Sequence, residues 1–252
     1  MDGALTKNVQ MKRLDLLMME LGLTETVEKA QALIMANQVE ISGVPAKSAG
    51  QMVKINESSI ILRNIPKFVS RGGIKLEHAI THWQLQIDSK VVLDVGASTG
   101  GFTDCLIQNG ARKVYAVDVG YGQIDYRLRQ DSRVLVMDKI NARYNFALEN
   151  EELVDLVTVD VSFISLTKIL LPVLKHLKDS GAVVCLVKPQ FEATRDQVGK
   201  GGVIKDPKIH AEVLARLTSW IISNGFRVKG LIPSVIKGAK GNQEFFFMLT
   251  PK

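Results

Sequence analysis

The chain is poor in the features that mark secreted, membrane-spanning and metal-binding proteins. It has only two cysteines, Cys105 and Cys185, and their spacing matches no metal-binding pattern. No apolar run approaches the roughly 18 residues that a bilayer-spanning helix requires, and the first ten residues are too polar for a signal peptide. We therefore expect a cytoplasmic protein that binds no metal and has no membrane partner.

The net charge of +6 is distributed unevenly along the chain. Residues 11–63 carry six basic and six acidic side chains, whereas residues 186–252 carry eleven basic and five acidic ones. A basic surface on one side of a protein suits an anionic partner such as RNA. A solvated basic face without any partner would give the same counts, so charge alone leaves both interpretations open.

A short apolar strand followed by a glycine-rich turn is the most informative pattern in the chain. Residues Val91–Val95 predict a buried strand, Gly96–Gly101 form the turn, and a helix is predicted to begin at about Phe102. Such a turn forms a ligand crevice at the carboxyl end of a parallel strand. Neither the lysine of a P-loop nor a G-x-G-x-x-G sequence is present. A ligand without phosphates is therefore favoured.

Four consecutive predicted strands end in or beside an aspartate: Asp94, Asp118, Asp138 and Asp160. We expect Asp118 to accept both ribose hydroxyls of an adenosine, and Asp138 to meet the adenine edge. This series indicates S-adenosylmethionine bound by a Rossmann-like methyltransferase, although any one aspartate could merely cap a turn. The expected donor-binding residues are Asp94, Gly96, Ala97, Ser98, Thr99, Gly100, Gly101, Phe102, Asp118, Val119, Asp138 and Asp160.

The N-terminal part predicts a small module of two helices and a short sheet. Helical spacing covers Leu14–Leu21, a second helix is capped by Thr24 or Thr26, and Val39–Ile41 alternates as a strand. Another strand is predicted near residues 52–55. Arg13-Leu14-Asp15, together with stretches 30–34 and 39–43, resembles the S4 RNA-binding domain. We assign 11–63 to this α+β module, 64–70 to a linker and 71–252 to the methyltransferase domain.

Four charged residues are predicted to gather where the elements of the second domain end: Lys75, Asp160, Lys188 and Glu244. A Lys-Asp-Lys-Glu set suits methyl transfer to a ribose 2′-hydroxyl, because the protein must align the oxygen and ease removal of its proton. We expect Lys188 to receive or steer that proton and the two carboxylates to orient the lysines. Alone, Lys75 and Glu244 would each be interpreted as surface charges.

Other methyl acceptors fit the sequence less well. Methylation of an exocyclic amine usually calls for Asp/Asn-Pro-Pro-aromatic, whereas Asp160 is followed by Val161-Ser162-Phe163. Methylation of a pyrimidine carbon needs a cysteine nucleophile at a strand end, and both cysteines fall within predicted elements. A ribose hydroxyl therefore remains the favoured acceptor.

With these residues assembled, the chain resembles the TlyA, or hemolysin A-like, family of ribosomal RNA 2′-O-methyltransferases. The resemblance implies an S4 domain, an FtsJ-like domain with a mostly parallel seven-stranded sheet and helices on both faces, and cytidine 2′-hydroxyls as acceptors. The linker departs from the family's usual Arg-x-Trp-Val. The stretches that carry the resemblance are 70–73, 94–103, 118–123, 160–165, 188–192, 199–202 and 241–244.

Ribosomal RNA or a ribosomal subunit is accordingly the expected partner. Two other classes stay open: a hemolysin or cytolysin that acts on membranes, and a non-catalytic RNA-binding factor for ribosome assembly. The oligomeric state does not follow from the sequence. The residues expected to contact RNA are Arg13, Lys67, Arg71, Lys200, Lys205, Lys237 and Lys240.

Overall fold

The computed structural model describes residues 10–55, 58–63, 66–199 and 201–252. The chain divides into two compact units, Met1–Pro66 and Lys67–Lys252. Residues 67–70, expected in the linker, thus belong to the second unit. Within the described ranges, no helix combines the length and apolar character that crossing a membrane requires.

In its described residues, the first unit contains two helices and two small antiparallel sheets. The elements are β1 (Met11–Arg13), α1 (Leu14–Glu20), α2 (Val27–Met35), β2 (Val39–Ile41), β3 (Val44–Pro45), β4 (Met52–Lys54) and β5 (Ile60–Leu62). One sheet pairs β1 with β4, and the other has the order β3-β2-β5. Thr26 caps α2, because its hydroxyl accepts the Lys29 amide at 3.2 Å. The two predicted helices are present, whereas β1, β3 and β5 were not predicted.

A buried carboxylate joins the elements of the first unit. Asp15 is fully buried and accepts hydrogen bonds from Arg13 at 2.7 Å and from Gln31 at 3.0 Å. It also accepts the Leu16 amide at 2.9 Å. The Arg13 side chain, expected to contact RNA, is half exposed and paired with this carboxylate. Arg13 therefore has a structural partner of its own within the unit.

The second unit is built on a seven-stranded sheet. Its strands are β6 (Val91–Val95), β7 (Lys113–Val117), β8 (Val134–Met137), β9 (Val154–Val159), β10 (Leu177–Val187), β11 (Phe226–Pro233) and β12 (Phe245–Pro251). The order across the sheet is β11-β12-β10-β9-β6-β7-β8. The run from β10 to β8 is parallel, and β12 is antiparallel to both β10 and β11. The expected Rossmann-like, mostly parallel sheet is confirmed.

Helices cover both faces of this sheet. The helices are α3 (Arg71–Trp83), α4 (Gly101–Gln108), α5 (Tyr126–Gln130), α6 (Leu170–Leu174), α7 (Pro189–Glu192) and α8 (Pro207–Ser223). One apolar core joins alternate strand residues to α3, α4 and α5, and the other joins the intervening residues to α6 and α8. Val92 and Leu93, for example, point into opposite cores. This alternation follows from the two-residue period of a strand.

Two strands, β9 and β10, begin earlier than the sequence predicts, and two further elements were not predicted. The strand predicted over 156–159 begins at Val154, and the one predicted over 183–187 begins at Leu177. No element was predicted over 207–233, where α8 and β11 lie. The carboxyl ends of β9 and β10 nevertheless fall where the sequence placed them, directly before Asp160 and Lys188.

Candidate active site

The glycine turn after β6 is shaped by a close backbone approach. Gly96 has φ +84°, and a Cβ built there would lie 2.5 Å from the Asp160 carbonyl oxygen. Any larger residue would force the end of β9 away from the turn. Gly96 therefore allows the carboxyl ends of β6 and β9 to lie close together.

Asp94 supports this turn from below and does not face a cavity. Its side chain is fully buried and accepts the hydroxyls of Thr103 at 2.7 Å and Thr158 at 2.9 Å. The first threonine belongs to α4 and the second to β9, so the carboxylate ties three elements together. The expectation that Asp94 contacts the donor directly is corrected accordingly, because all of its surface is enclosed by protein.

A cavity of about 490 Å³ opens beside the turn. It is bounded by the ends of β6, β7 and β9, and its lining includes Gly96, Ser98, Asp118, Val119 and Asp160. The Asp118 carboxylate accepts the Ser98 amide at 2.8 Å and a second amide, from residue 120, at 2.7 Å. Asp118 thus both fixes the turn and presents an acceptor to the cavity, as its sequence position predicts.

We call this first cavity the donor cavity, after the ligand that the sequence predicts for it, and its lining differs in part from the prediction. Asp138 is not part of its lining, and the Asp138 carboxylate accepts Arg129 at 3.1 Å and the Gly122 amide at 3.3 Å. Asn141 and Gln123 line the cavity instead. The contact of Asp138 with adenine therefore stays a prediction, while Asp138 supports Arg129 and residue 122 in this structure. The sequence signal for Asn141 would have been its position three residues beyond the strand-end aspartate.

A second cavity, of about 280 Å³, shares Asp160 with the first. Its lining includes Arg71 and Lys75 of α3, residues 96–99 and 101–102 of the turn and α4, and Lys188 after β10. Gly100 lines neither cavity, since its own surroundings are Leu128 and Ile124. We call the second cavity the acceptor cavity. Four residues expected to bind the donor line this cavity and not the first one: Ala97, Thr99, Gly101 and Phe102.

The donor and acceptor cavities meet at four residues: Gly96, Ser98, Asp160 and Ser162. The two cavities therefore adjoin where the turn after β6 meets the end of β9. This arrangement suits a group transfer between two bound molecules.

An ion pair stands at that meeting point. Lys188 Nζ lies 2.6 Å from Asp160 Oδ1, in a geometry outside that of a hydrogen bond, and donates to Ser162 Oγ at 2.8 Å. The neighbouring parallel strands β9 and β10 deliver the two residues, which explains the expected proximity. Both side chains keep only a small exposed fraction, 11% for Lys188 and 19% for Asp160.

A second ion pair lies at the wall of the acceptor cavity, which Lys75 lines. Lys75 Nζ donates to Glu244 Oε2 at 2.6 Å, and both side chains are buried. Glu244 reaches this place because β12 is antiparallel to β10, with Phe245 opposite Val187. The start of β12 therefore meets the carboxyl ends of the parallel strands. All four members of the Lys-Asp-Lys-Glu set lie at this edge of the sheet.

The side chain of Glu244 packs directly against Gly238. A Cβ at Gly238 would lie 1.9 Å from Glu244 Oε1. The turn is closed by a bond from the Gly238 amide to the Asn242 carbonyl at 2.9 Å. Asn242 is itself buried, accepts the Ile204 amide at 3.0 Å and donates to the Gly202 carbonyl at 2.9 Å. Sequence reasoning missed both Gly238 and Asn242 as positioning residues.

The segment that follows Asp160 is held by a further carboxylate. Glu192, in α7, accepts the Ser165 hydroxyl and the Leu166 amide, each at 2.7 Å. Burial raises the pKa of Glu192. Phe163 lies within the held segment, lines the donor cavity and has 90% of its surface exposed. Glu192 thus couples the segment around Phe163 to the helix that begins directly after Lys188.

The residues expected to contact RNA occupy different environments. Arg71 is exposed and lines the acceptor cavity, and Lys205, Lys237 and Lys240 are exposed. Lys67 forms an ion pair with Glu77. Lys200 lies outside the described residues. Among those that are described, no three His, Cys, Asp or Glu side chains gather as a metal site.

The chain is similar to a known protein family and to several named proteins. The model of the family described as FtsJ-like methyltransferase matches residues 68–250. Hemolysin A of Brachyspira hyodysenteriae is 44% identical over 92% of this chain and 97% of its own length.

A second relative carries a more specific name. The 16S/23S rRNA (cytidine-2'-O)-methyltransferase TlyA of Mycobacterium tuberculosis is 38% identical over 94% of this chain and 89% of its own length. A solved structure from Streptococcus thermophilus has a TM-score of 0.72 and 42% identity, covering 97% of this chain and 90% of that one. The similarity thus extends over both units.

The buried Asp94 gives the second unit a pH-dependent stability. Burial, assisted by the nearby Asp160, raises the pKa of Asp94 to about 6, against the opposing effect of the two threonine hydroxyls. Because the folded-state pKa is raised above the unfolded value, the contribution to stability is fully present below about pH 4 and is lost as pH rises through about 6. The change amounts to roughly 3 kcal/mol.

Urea unfolding of the native chain and of Asp94→Asn at several pH values between 4 and 7 measures this effect. Both tryptophans, Trp83 and Trp220, lie in the second unit, so their fluorescence reports its unfolding alone. The free energy of unfolding of the native chain should fall relative to that of the asparagine variant as pH rises. Parallel curves for the two proteins would show that Asp94 does not titrate in this range.

Proposed function

The chain belongs to the FtsJ-like methyltransferase family, and we propose that it transfers a methyl group from S-adenosylmethionine to the 2′-hydroxyl of a cytidine ribose in ribosomal RNA. The observation that carries this proposal is the meeting of two cavities at the Lys188–Asp160 ion pair. The cytidine 2′-hydroxyl comes from the name of the M. tuberculosis relative. The cytoplasm, where ribosomal RNA is found in bacteria, stays the predicted location.

The donor cavity has the chemistry that S-adenosylmethionine requires. Its glycine turn lets backbone approach the methionine part, Asp118 offers acceptors to ribose hydroxyls, and Asn141 offers a donor and an acceptor to the adenine edge. When bound, S-adenosylmethionine supplies an electrophilic methyl group on a sulfonium. The chain's task is to hold that methyl toward Asp160, where the cavity opens to the acceptor side.

The acceptor cavity would orient the ribose for attack. The 2′-oxygen forms a bond to the methyl carbon while the carbon–sulfur bond breaks and its electrons remain on sulfur. Lys188 receives or directs the hydroxyl proton, and Asp160 together with Ser162 holds the Lys188 amine in place. Lys75, fixed by Glu244, contributes positive charge on the opposite wall. Positioning and proton transfer are the two contributions that this reaction demands.

The RNA-facing side is proposed to include the basic loops beside the acceptor cavity. Arg71 stands in the cavity wall, and Lys205, Lys237 and Lys240 are exposed on loops that Asn242 connects. The S4-like module, residues 11–63, would add a second RNA contact. Its zero net charge favours a guiding contact over a strong electrostatic one.

The sequence also leaves two other functions open. Neither a cytolysin nor a non-catalytic assembly factor has a use for two matched Lys–carboxylate pairs beside two joined cavities. The names of similar proteins include both hemolysin and methyltransferase, and the site favours the second. Membrane lysis by purified protein that persists in Lys188→Ala would support the cytolysin function.

The chemical identity of the product tests the proposal. Ribosomal subunits lacking the modification would be incubated with the protein and labelled S-adenosylmethionine, and the RNA would be digested to nucleosides. We expect the label in 2′-O-methylcytidine. Label in a base-methylated nucleoside, or in another 2′-O-methylated nucleoside, would contradict the proposal.

Lys188 should be needed for methyl transfer and not for donor binding. In Lys188→Ala, single-turnover transfer should be abolished while affinity for S-adenosylmethionine is nearly unchanged, the pattern of an interaction made chiefly in the transition state. Lys188→Arg should fail too, because a guanidinium stays protonated and cannot accept a proton. Lys175, an exposed lysine, gives a matched control as Lys175→Ala. Substantial activity in the arginine variant would leave Lys188 an electrostatic role only.

The basic loops should determine the salt dependence of RNA binding. Replacing Lys205, Lys237 and Lys240 by alanine should weaken binding and flatten the dependence of affinity on salt, because each lost phosphate contact reduces counterion release. Anisotropy titrations of a labelled ribosomal RNA fragment at several salt concentrations would measure both quantities. If the triple variant retains the native slope, these loops do not face the RNA.

A further inference from the structure

A surface at the rim of the donor cavity has a composition that donor binding does not explain. It consists of Tyr121 with Lys139, and of Tyr144 with Arg143, and we call it the tyrosine rim. We propose that the tyrosine rim binds an unpaired stretch of the RNA substrate by stacking its bases on the rings. This inference rests on the proposed function, because it identifies the form of RNA that the same site accepts.

Backbone hydrogen bonds place the rim directly beside the donor cavity. The Lys139 amide donates to the residue-120 carbonyl at 2.9 Å, which joins the segment after β7 to the segment after β8. Val119 and Asn141, in these two segments, line the cavity. The Tyr144 amide donates to the Asn141 carbonyl at 3.0 Å. Both tyrosines thus stand on loops whose neighbouring residues form the cavity wall.

The basic side chains between residues 119 and 144 fall into two groups, those paired with a carboxylate and those that lie over a tyrosine ring. Three arginines between residues 119 and 144 form ion pairs with aspartates: Arg127 with Asp125, Arg129 with Asp138, and Arg133 with Asp131. In the part of the chain that the structure describes, Lys139 and Arg143 have no carboxylate partner. Each lies over a tyrosine ring instead, Lys139 Nζ at 4.5 Å from the Tyr121 centroid and the Arg143 guanidinium carbon at 5.9 Å from that of Tyr144.

The rings of the rim are open to solvent. Tyr121 is 73% exposed and Tyr144 is 62% exposed. Lys139 adopts φ +63°, a conformation that non-glycine residues rarely take. Exposed aromatic rings and cations without acidic partners are the two components with which proteins bind single-stranded nucleic acid. The tyrosine rim supplies both at one place.

The acceptor geometry favours unpaired RNA over a duplex. In a double helix, bases stack on one another and offer no free face to an aromatic side chain, whereas unpaired bases can stack on tyrosine. The reacting ribose must also enter the recess at Asp160, between two cavities lined by protein. Binding the neighbouring nucleotides in an unstacked form on the rim would assist that entry.

Tyr126 provides a matched control. It is 74% exposed, at the start of α5 and close in sequence to Tyr121. Among the described residues, no cation lies over its ring, whereas Lys139 lies over that of Tyr121. A general effect of removing a surface tyrosine would appear in both alanine variants. An effect of the tyrosine rim would appear only at Tyr121.

The experiment measures binding of one oligoribonucleotide in two forms, single-stranded and annealed to its complement, to the full chain. For the single strand, Tyr121→Ala and Lys139→Ala should each bind about tenfold more weakly, while Tyr121→Phe and Tyr126→Ala bind as the native chain does. Tyr121→Ala should change affinity for the duplex far less. Affinity for S-adenosylmethionine, measured by calorimetry, should be equal in all the proteins, which verifies that the donor cavity is intact.

Three results would overturn the proposal. Tyr121→Ala could bind the single strand as tightly as Tyr126→Ala does, the single strand and duplex could lose affinity equally, or Tyr121→Phe could be as weak as the alanine variant. Methyl transfer by the native chain, measured in parallel, separates this inference from the proposed function. Native transfer together with any of these three results would reject only the tyrosine rim. Absence of native transfer to ribosomal RNA would reject the function itself.

Discussion

The arrangement of the whole site depends on how closely the end of β9 approaches the turn after β6. No side chain fits between Gly96 and the Asp160 carbonyl, where a Cβ would lie 2.5 Å from the oxygen. This contact brings Asp160 to the boundary of two cavities and gives both of them a shared wall. Beneath it, Asp94 joins β6, α4 and β9 through two threonine hydroxyls. A rigid boundary of this kind is what transfer between two bound molecules requires.

The two lysines of the site are positioned by ion pairs. Each lysine of the site is held by one carboxylate, Lys188 by Asp160 and Lys75 by Glu244. The second pair is buried, so loss of either partner would leave an uncompensated charge, at a cost of roughly 3–5 kcal/mol. The close packing of Glu244 against Gly238 and the two hydrogen bonds of Asn242 to residues 202 and 204 help to position Glu244.

Much of the fold and part of the site follow from the sequence. Apolar runs predicted the strands of the sheet centre, and the aspartates after them marked its functional edge, because parallel strands end at the same edge. That rule could not tell which carboxylates face a cavity. Asp118 and Asp160 do, whereas Asp94 is enclosed and Asp138 is occupied by Arg129.

The remaining site residues depend on contacts between segments distant in sequence. Gly238 matters because Glu244 folds over it, and Asn242 because residues 202–204 pass beside it. Neither contact has a local sequence pattern. The tyrosine rim likewise depends on pairing of the two segments after β7 and β8, which places Lys139 over Tyr121. The positions where parallel strands end predict which edge of the sheet carries the site, whereas tertiary packing determines which residues at that edge face a cavity.

The central claim is that the two cavities hold donor and acceptor on either side of Asp160. A crystal structure of the chain with S-adenosylhomocysteine and a cytidine-containing oligoribonucleotide tests it most directly. We expect the donor sulfur beside Gly96 and a ribose 2′-oxygen within hydrogen-bond distance of Lys188 Nζ. A base nitrogen or carbon facing the sulfur, or a donor bound outside the cavity that Asp118 lines, would contradict it.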